Sequence, residues 1–194
     1  MILCVPVGWV TYSEPLVRNV EYAKRAGFDF KAQISNRVDL NRSHCIEYAK
    51  IKKDDLIMVD GDVTILTEPE RLKEILKEDE KVADVVVGII VSGLGVLVRP
   101  LPPKDKDVFE VDWASLGFVY LPYRTIRYLK PISIYGENTP LYMSYTPKMS
   151  EDVEFVTRLK KKGKRIVADK RIKLAHWKNV PVIYTDVSVK IEGS

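Results

Sequence analysis

The chain has 194 residues, a formal net charge of +4 and 46% hydrophobic residues, which fits one globular domain and excludes a disordered chain. No apolar run reaches membrane-spanning length, and no basic segment precedes the first apolar stretch, so we expect no signal peptide. Cys4 and Cys45 lack metal-ligand spacing and are predicted to be separate core residues. A cytoplasmic protein is therefore expected.

The basic residues concentrate late in the chain, at 160–165 and 170–173. Single-stranded nucleic acids usually bind where aromatic side chains alternate with basic ones, and these clusters contain no aromatic residue. Lysine also suits the last turn of a helix, where it complements the helix dipole. We therefore expect a solvated helix end and no nucleic-acid partner.

The first half of the chain alternates predicted strands with predicted helices. The strands are predicted at 2–9, 28–34 and 55–62, and the helices at 14–26, 39–50 and 66–77. This order indicates βαβ units and a parallel sheet. In the first helix, Leu16, Val20 and Ala23 form the predicted apolar stripe.

The second half is less regular. A continuous buried strand is predicted at 82–91, followed by a glycine turn into 96–99 that would add antiparallel strands to the sheet. The remaining predicted elements are a strand ending at 121, a helix at 122–129, a long irregular segment at 131–149, a helix at 151–162, and strands at 165–169 and 172–177. We expect one domain over 1–177, and a tail over 178–194 that is either an edge strand or a flexible arm.

The stretch Asp60-Gly61-Asp62 follows an apolar strand directly. Alternate residues of an extended chain point the same way, so the two carboxylates can converge, and the glycine lets a ligand approach the backbone. Carboxyl ends of strands face the ligand crevice of open α/β sheets. Two carboxylates there suit a hard divalent cation and, through it, a diphosphate. A turn or hairpin is the alternative, and the helix predicted next argues against a hairpin.

Two arginines, Arg37 and Arg42, lie near the start of the second predicted helix, beside the end of the second strand. Arginine at this place can hold a nucleotide or a phosphate group. A surface ion pair explains each of them equally well. The irregular segment 131–149 contains Tyr135, Tyr142 and Tyr145, which either stack on sugars or pack.

These features together resemble the glycosyltransferases of the GT-A fold, close to the inverting family 2 type, over about residues 2–177. The resemblance is carried by a first strand with Val and Pro, the Asp60-x-Asp62 strand end, Leu116-Gly117-Phe118, Glu151-Asp152 at a helix start, and His176. The Asp-x-Asp motif alone is weak because such triplets are common. The resemblance implies an α/β fold with a Rossmann-like, mixed but mostly parallel sheet flanked by helices.

The resemblance also implies a donor site. Asp60 and Asp62 match the residues that hold Mn²⁺ or Mg²⁺ and contact the ribose and diphosphate of a nucleotide sugar, and His176 matches a late metal or diphosphate ligand. A packed polar side chain is the alternative for His176. The implied nucleotide-binding set is Val7, Arg37, Arg42, Asp60, Gly61 and Asp62. The family often has Arg-Asn on this helix and the chain has Asn41-Arg42, which leaves the nucleotide open.

The implied catalytic base is Asp152, with the donor-sugar and acceptor site formed by Trp113, Leu116, Gly117 and Glu151. An acceptor hydroxyl is a poor nucleophile and needs a base within hydrogen-bond reach, and one carboxylate on the far side of the sugar gives inversion. Alternatively, Glu151 and Asp152 merely complement the dipole of their helix.

The sequence thus predicts a metal-dependent glycosyltransferase acting on a glycan, lipid or protein acceptor, with peripheral membrane contact left open. One alternative is a nucleotidyltransferase, although the expected Gly-rich basic loop after the first strand is missing. A non-enzymatic binding protein that retains the fold is a second alternative. A glycoside hydrolase is a third, although its paired carboxylates need no nucleotide site.

Overall fold

A computed structural model describes residues 1–8, 13–92, 95–136, 139–178, 180–184 and 189–191. The helices of the described residues are α1 (Ser13–Ala26), α2 (Val38–Lys52), α3 (Pro69–Asp79), α4 (Tyr123–Ile126) and α5 (Glu151–Lys161). The first eight strands are β1 (Ile2–Val7), β2 (Asp29–Ile34), β3 (Leu56–Val59), β4 (Val63–Ile65), β5 (Val85–Val87), β6 (Val91–Ser92), β7 (Gly95–Val96) and β8 (Val98–Arg99). The others are β9 (Val108–Glu110), β10 (Trp113–Ala114), β11 (Phe118–Leu121), β12 (Ser133–Tyr135), β13 (Thr139–Leu141), β14 (Ile166–Asp169), β15 (Leu174–Lys178), β16 (Val180–Tyr184) and β17 (Val189–Ile191).

Seven strands form the central sheet, in the order β2-β1-β3-β11-β5-β14-β9. Strands β1, β2, β3, β5 and β14 run in one direction, whereas β11 and β9 are antiparallel to their neighbours. The predicted α/β fold, with a Rossmann-like, mixed but mostly parallel sheet flanked by helices, is confirmed. The carboxyl ends of the parallel strands share one edge, where open α/β sheets bind ligands.

The two faces of this sheet bury separate apolar clusters. In β1, Leu3 points to one face and Cys4 to the other, as the alternation of a strand requires. Helices α1 and α3 cover the face with Leu3, and helices α2, α4 and α5 cover the face with Cys4. The long α2 is therefore packed directly against the central strands, and side chains on its first turns reach the sheet edge.

Cys4 and Cys45 are joined in a disulfide, with their Cα atoms 5.9 Å apart. Both are fully buried, as predicted, but the expectation of two separate core cysteines is wrong. Packing of α2 on β1 brings together residues 41 positions apart, which their spacing in the sequence does not reveal. Disulfides form in oxidising compartments and also inside cells of hyperthermophiles, so the cysteines give no support to the expected cytoplasmic location.

Among the described residues, no helix is both long enough and apolar enough to cross a membrane.

The buried face of α1 differs from the predicted stripe. Val20 is 41% exposed, whereas Asn19 and Tyr22 are buried. The Asn19 side chain donates to the carbonyl of Val63 at 2.8 Å, and the Tyr22 hydroxyl donates to the carbonyl of Thr67 at 2.8 Å. These bonds satisfy the Asn19 amide N–H and the Tyr22 hydroxyl, so tertiary hydrogen bonds override the apolar pattern of the helix.

The strand predicted over 82–91 is interrupted at Gly88. A Cβ atom there would lie 2.3 Å from Cδ1 of Leu174 and 3.0 Å from Cβ of Phe118, so a larger residue would require these side chains to shift. The following β6 and β7 pair with each other as a separate two-stranded sheet. The expectation that this hairpin extends the central sheet is therefore wrong.

A second, four-stranded sheet has the order β17-β16-β15-β4. Its strand β4 follows the Asp60-Gly61-Asp62 turn directly, and β15 carries His176. Strands β15, β16 and β17 pair in antiparallel fashion, with Ala175 opposite Ile183. The division of the chain at residue 177 stays a prediction.

Candidate functional site

The candidate site lies at the carboxyl ends of β1, β2 and β3. Asn41, on the first turn of α2, donates its side-chain amide to the carbonyl of Val7 at 2.9 Å and to the carbonyl of Ser35 at 3.2 Å. These bonds tie the ends of β1 and β2 to the helix. Asp60 follows the end of β3, so the ends of three parallel strands and the start of α2 meet at one edge.

Asp60, Gly61 and Asp62 form a turn between β3 and β4. The N–H of Val63 donates to the carbonyl of Asp60 at 2.9 Å, and the N–H of Asp60 donates to the carbonyl of Gly117 at 3.0 Å. Strand β3 pairs with β1 and β11, whereas β4 pairs with β15 in the other sheet, so the turn is not a hairpin. The two carboxylates leave this turn towards different partners.

Arg42 joins three carboxylates. Its Nη2 donates to both oxygens of Asp60, at 2.8 and 2.9 Å, and its Nη1 donates to Glu151 at 2.9 Å and to Oδ1 of Asp152. The Arg42 side chain is only 2% exposed. Three carboxylates face one guanidinium, an excess of two negative charges when all three are ionised.

The pKa values within this cluster shift with burial and charge. Burial raises the pKa of Asp60 to about 6, opposed by Arg42 and reinforced by Asp152 and Asp62. Burial also raises the pKa of Glu151, again with Arg42 opposing. Burial alone would lower the pKa of the Arg42 guanidinium, but its three carboxylate neighbours raise that pKa above the ordinary value. Arg42 therefore stays charged and holds the carboxylates together.

Helix α5 positions Glu151 and Asp152 in its first turn. Ser150 is the N-cap, and its hydroxyl accepts from the N–H of Val153 at 3.5 Å. Asp152 Oδ2 accepts from the backbone N–H of Leu116 at 3.1 Å, so its two oxygens have different, fixed donors. The carboxylate is 17% exposed and remains accessible to a ligand.

Gly117 lies where no larger residue fits. A Cβ atom there would approach Cγ1 of Ile90 to 2.9 Å and Cδ1 to 3.0 Å. Its carbonyl accepts from the N–H of Asp60, so this close packing sets the position of the Asp60 backbone. The buried Leu116 contributes its backbone N–H, and Trp113 packs against the core below the site.

Asp62 faces His176 rather than Arg42. The Nε2 atom of His176 lies 3.2 Å from Oδ2 of Asp62, and Nδ1 lies 2.6 Å from the carbonyl of Val91. A carbonyl only accepts, so Nδ1 carries the proton and the lone pair of neutral His176 is directed at the Asp62 carboxylate. That contact is attractive only with a proton or a cation between the two atoms.

The donor set fits a divalent cation that is completed by other ligands. Asp60 and Asp62 offer hard oxygen atoms, each side chain is 26% exposed, and the surrounding charge is negative. Within the described ranges, no three His, Cys, Asp or Glu side chains meet closely enough to hold a metal ion. Mg²⁺ is commonly held by one or two carboxylates, with water and substrate phosphates as further ligands.

The predicted residue Arg37 lies at the N-cap of α2, apart from the Arg42 cluster. It pairs with Asp39 at 2.6 Å, and its guanidinium lies 4.5 Å from the ring centre of Tyr135. Val7 lies at the end of β1, close to the same helix start through Asn41. Val7 is buried, whereas the Arg37 side chain is 37% exposed.

Tyr145 lies beside Glu151, and the sequence assigns no specific role to it. Burial, together with the charge and hydrogen bonding of Glu151, raises the pKa of the Tyr145 hydroxyl to about 12. The ring is 55% exposed beside the candidate base. The tyrosine-rich irregular segment was the only signal for it, and that segment did not identify which tyrosine reaches the site.

No protein-family model matches the chain, and no curated protein sequence matches it. Solved structures with a similar fold exist. A197 from STIV superposes with a TM-score of 0.71 at 17% identity, covering the whole of this chain and 95% of A197. HddC from Yersinia pseudotuberculosis gives a TM-score of 0.50 at 12% identity, covering 91% of this chain and 93% of HddC.

A third structure, a glycosyltransferase involved in the glycosylation of the major capsid of PBCV-1, gives a TM-score of 0.43 at 12% identity. It covers 65% of this chain and 62% of its own length, too low a likeness to carry an argument. At these identities, the likeness to A197 and HddC shows the shared fold alone. Function is therefore argued from the site.

Proposed function

We propose that the chain is a metal-dependent glycosyltransferase of the GT-A type, which moves a sugar from a nucleotide-diphosphate donor to an acceptor hydroxyl with inversion. The observation that carries this proposal is that Arg42 binds both Asp60 and Asp152. We assign Asp60 to the donor side and Asp152 to the acceptor side. We assign the transferase domain to residues 1–177.

On the donor side, Asp60 and Asp62 would hold Mn²⁺ or Mg²⁺ together with the diphosphate, with His176 beside Asp62. A cation bound there supplies the positive charge that neutralises the departing nucleoside diphosphate, so no protein acid is needed. We assign Val7 and Arg37 to the nucleoside side of the site, because Val7 ends β1 and Arg37 lies just after β2. Gly61 leaves the backbone of the turn open to the diphosphate.

On the acceptor side, Asp152 accepts the proton of the attacking hydroxyl. Its carboxylate is held by Arg42 and by the N–H of Leu116 but remains partly exposed, as a base must be to reach a substrate. We assign the surrounding donor-sugar and acceptor site to Glu151, Trp113, Leu116 and Gly117, of which Glu151 is bound to Arg42. The acceptor hydroxyl belongs to a glycan, a lipid or a protein.

The experiment is turnover of a panel of nucleotide sugars with Mn²⁺, with the products separated by chromatography. Glycosyl transfer or slow donor hydrolysis releases a nucleoside diphosphate, and a β-configured product from an α-configured donor demonstrates inversion. A nucleotidyltransferase would instead release pyrophosphate from a nucleoside triphosphate and a sugar phosphate, which would overturn the proposal. Absence of turnover and of binding for every donor would support a non-enzymatic binding protein.

A further inference from the structure

We infer that Arg42 is a positioning residue, which fixes the candidate base relative to the donor carboxylate and sets the net charge that a cation meets. The inference rests on the proposed function. Arg42 touches neither reacting atom in the proposed mechanism and acts through Asp60, Glu151 and Asp152.

The geometry requires a guanidinium. Nη1 serves the two carboxylates at the start of α5, while Nη2 serves the carboxylate after β3. The planar group holds these donors in a rigid fork, whereas a lysine ammonium is a single charged point on a flexible stem. With Arg42 only 2% exposed, solvent does not substitute for a lost donor.

The helix that carries Arg42, α2, is itself anchored to the central sheet. Cys45, one turn further along α2, is bonded to Cys4 in β1, and Asn41 is bonded to the end of β1. The part of α2 that carries Arg42 is thereby tied to the central sheet. Arg42 therefore fixes the position of Asp152 from the sheet side.

The second role of Arg42 concerns the net charge of the carboxylate cluster. One cation among three carboxylates leaves an excess of two negative charges close to Asp62, which attracts a divalent cation. While the three carboxylates stay ionised, removing the Arg42 charge makes the cluster more negative and strengthens cation binding. Arg42→Lys keeps the positive charge and changes the geometry, whereas Arg42→Gln removes the charge. The two variants therefore separate a positioning role of Arg42 from a purely structural one.

The test measures Mn²⁺ alone, by electron paramagnetic resonance of the free ion, and donor kinetics in the same variants. For Arg42→Lys we expect Mn²⁺ affinity within threefold of wild type and donor KM within threefold. We expect kcat to fall about 100-fold, because a misplacement of about 1 Å has this effect. For Arg42→Gln we expect Mn²⁺ to bind at least threefold more tightly, although kcat also falls.

Two controls define the result. In the double variant Arg42→Gln, Glu151→Gln, one cation and one carboxylate are lost together, so Mn²⁺ affinity returns to the wild-type value. Arg158→Lys changes another arginine that pairs with a carboxylate of α5, Glu154 at 2.8 Å, and leaves Mn²⁺ affinity and kcat unchanged.

Wild-type kcat in Arg42→Lys, or Mn²⁺ affinity in folded Arg42→Gln that equals or falls below wild type, overturns the inference. If Arg42→Gln does not fold, Arg42→Lys alone decides the positioning role. If the wild-type protein turns over no nucleotide sugar, the proposed function fails, whereas the Mn²⁺ affinities still decide the inference about charge.

Discussion

The backbone N–H of Leu116 donates to Oδ2 of Asp152 at 3.1 Å, while Arg42 binds the other oxygen of the same carboxylate. Both oxygens of Asp152 therefore accept hydrogen bonds. In Asp152→Asn, the amide N–H₂ would replace one of these oxygens and would face a hydrogen-bond donor. The carboxylate is therefore required on geometric as well as chemical grounds.

Replacing Asp152 by Asn is predicted to lower kcat by about 10²- to 10⁴-fold, the usual contribution of a general base. The measurement is turnover of the preferred nucleotide sugar, with circular dichroism to check folding. Glu154→Gln is the matched control, because Glu154 also lies in the first turn of α5 but pairs with Arg158, and it should retain activity. Unchanged turnover in the Asp152 variant would remove this residue as the base.

Gly117→Ala is predicted to destabilise the fold and to weaken nucleotide binding. The new methyl group would lie 2.9 Å from Cγ1 of the buried Ile90, an overpacking expected to lower the free energy of unfolding by about 1–3 kcal/mol. Relief of this clash shifts the Gly117 carbonyl that holds the N–H of Asp60. Urea unfolding and nucleoside diphosphate titration measure the two effects, and full retention of both would show that the close packing is unimportant.

Asp79 is predicted to make stability fall as pH rises. Burial, followed by the charge of Asp169, raises the pKa of Asp79 from 3.8 to about 7. An acid with a higher pKa in the folded state binds its proton more tightly there. Its stabilising effect is therefore full below about pH 4 and is lost as pH rises through 7.

Asp79→Asn removes this dependence. We expect the free energy of unfolding of the wild type to fall relative to the variant by on the order of 2 kcal/mol between pH 4 and pH 8. Urea titrations at several pH values measure it. Glu78→Gln is the control, because Glu78 neighbours Asp79 but hydrogen bonding to Arg171 lowers its pKa. Parallel pH profiles for wild type and Asp79→Asn would contradict the prediction.

The disulfide between Cys4 and Cys45 is predicted to stabilise the fold. It closes a loop over a sequence separation of 41, and the chain-entropy relation gives about 4 kcal/mol for a loop of this length. Replacing both cysteines by alanine should lower the free energy of unfolding by roughly that amount, measured by urea unfolding. Adding a reductant should lower the free energy of unfolding of the wild type but not that of the double variant. Equal stability of the two proteins without reductant would disprove the effect.

The elements and the Asp60-Gly61-Asp62 turn could be predicted because local signals determine them. The apolar run before Asp60 marks a buried strand, and Ser150 before Glu151 and Asp152 marks a helix start. The partners of Arg42 could not be predicted. They lie 18, 109 and 110 residues away, and the sequence alone does not show which carboxylates the fold brings to one guanidinium.

Long-range contacts also explain the wrong predictions for the buried face of α1 and for the two cysteines. Asn19 is buried because the carbonyl of Val63, 44 residues away, accepts its hydrogen bond. Cys45 is bonded because α2 packs on β1. Each error concerns a long-range contact that overrides a correct local pattern.

The central claim is that the Asp60-Gly61-Asp62 turn binds a donor diphosphate through a divalent cation. Isothermal titration of nucleoside diphosphates into the wild-type protein, with and without Mn²⁺, tests it most directly. We predict binding at least tenfold tighter with Mn²⁺, and loss of this difference in Asp60→Asn. Binding of the same strength with and without Mn²⁺ would contradict the claim.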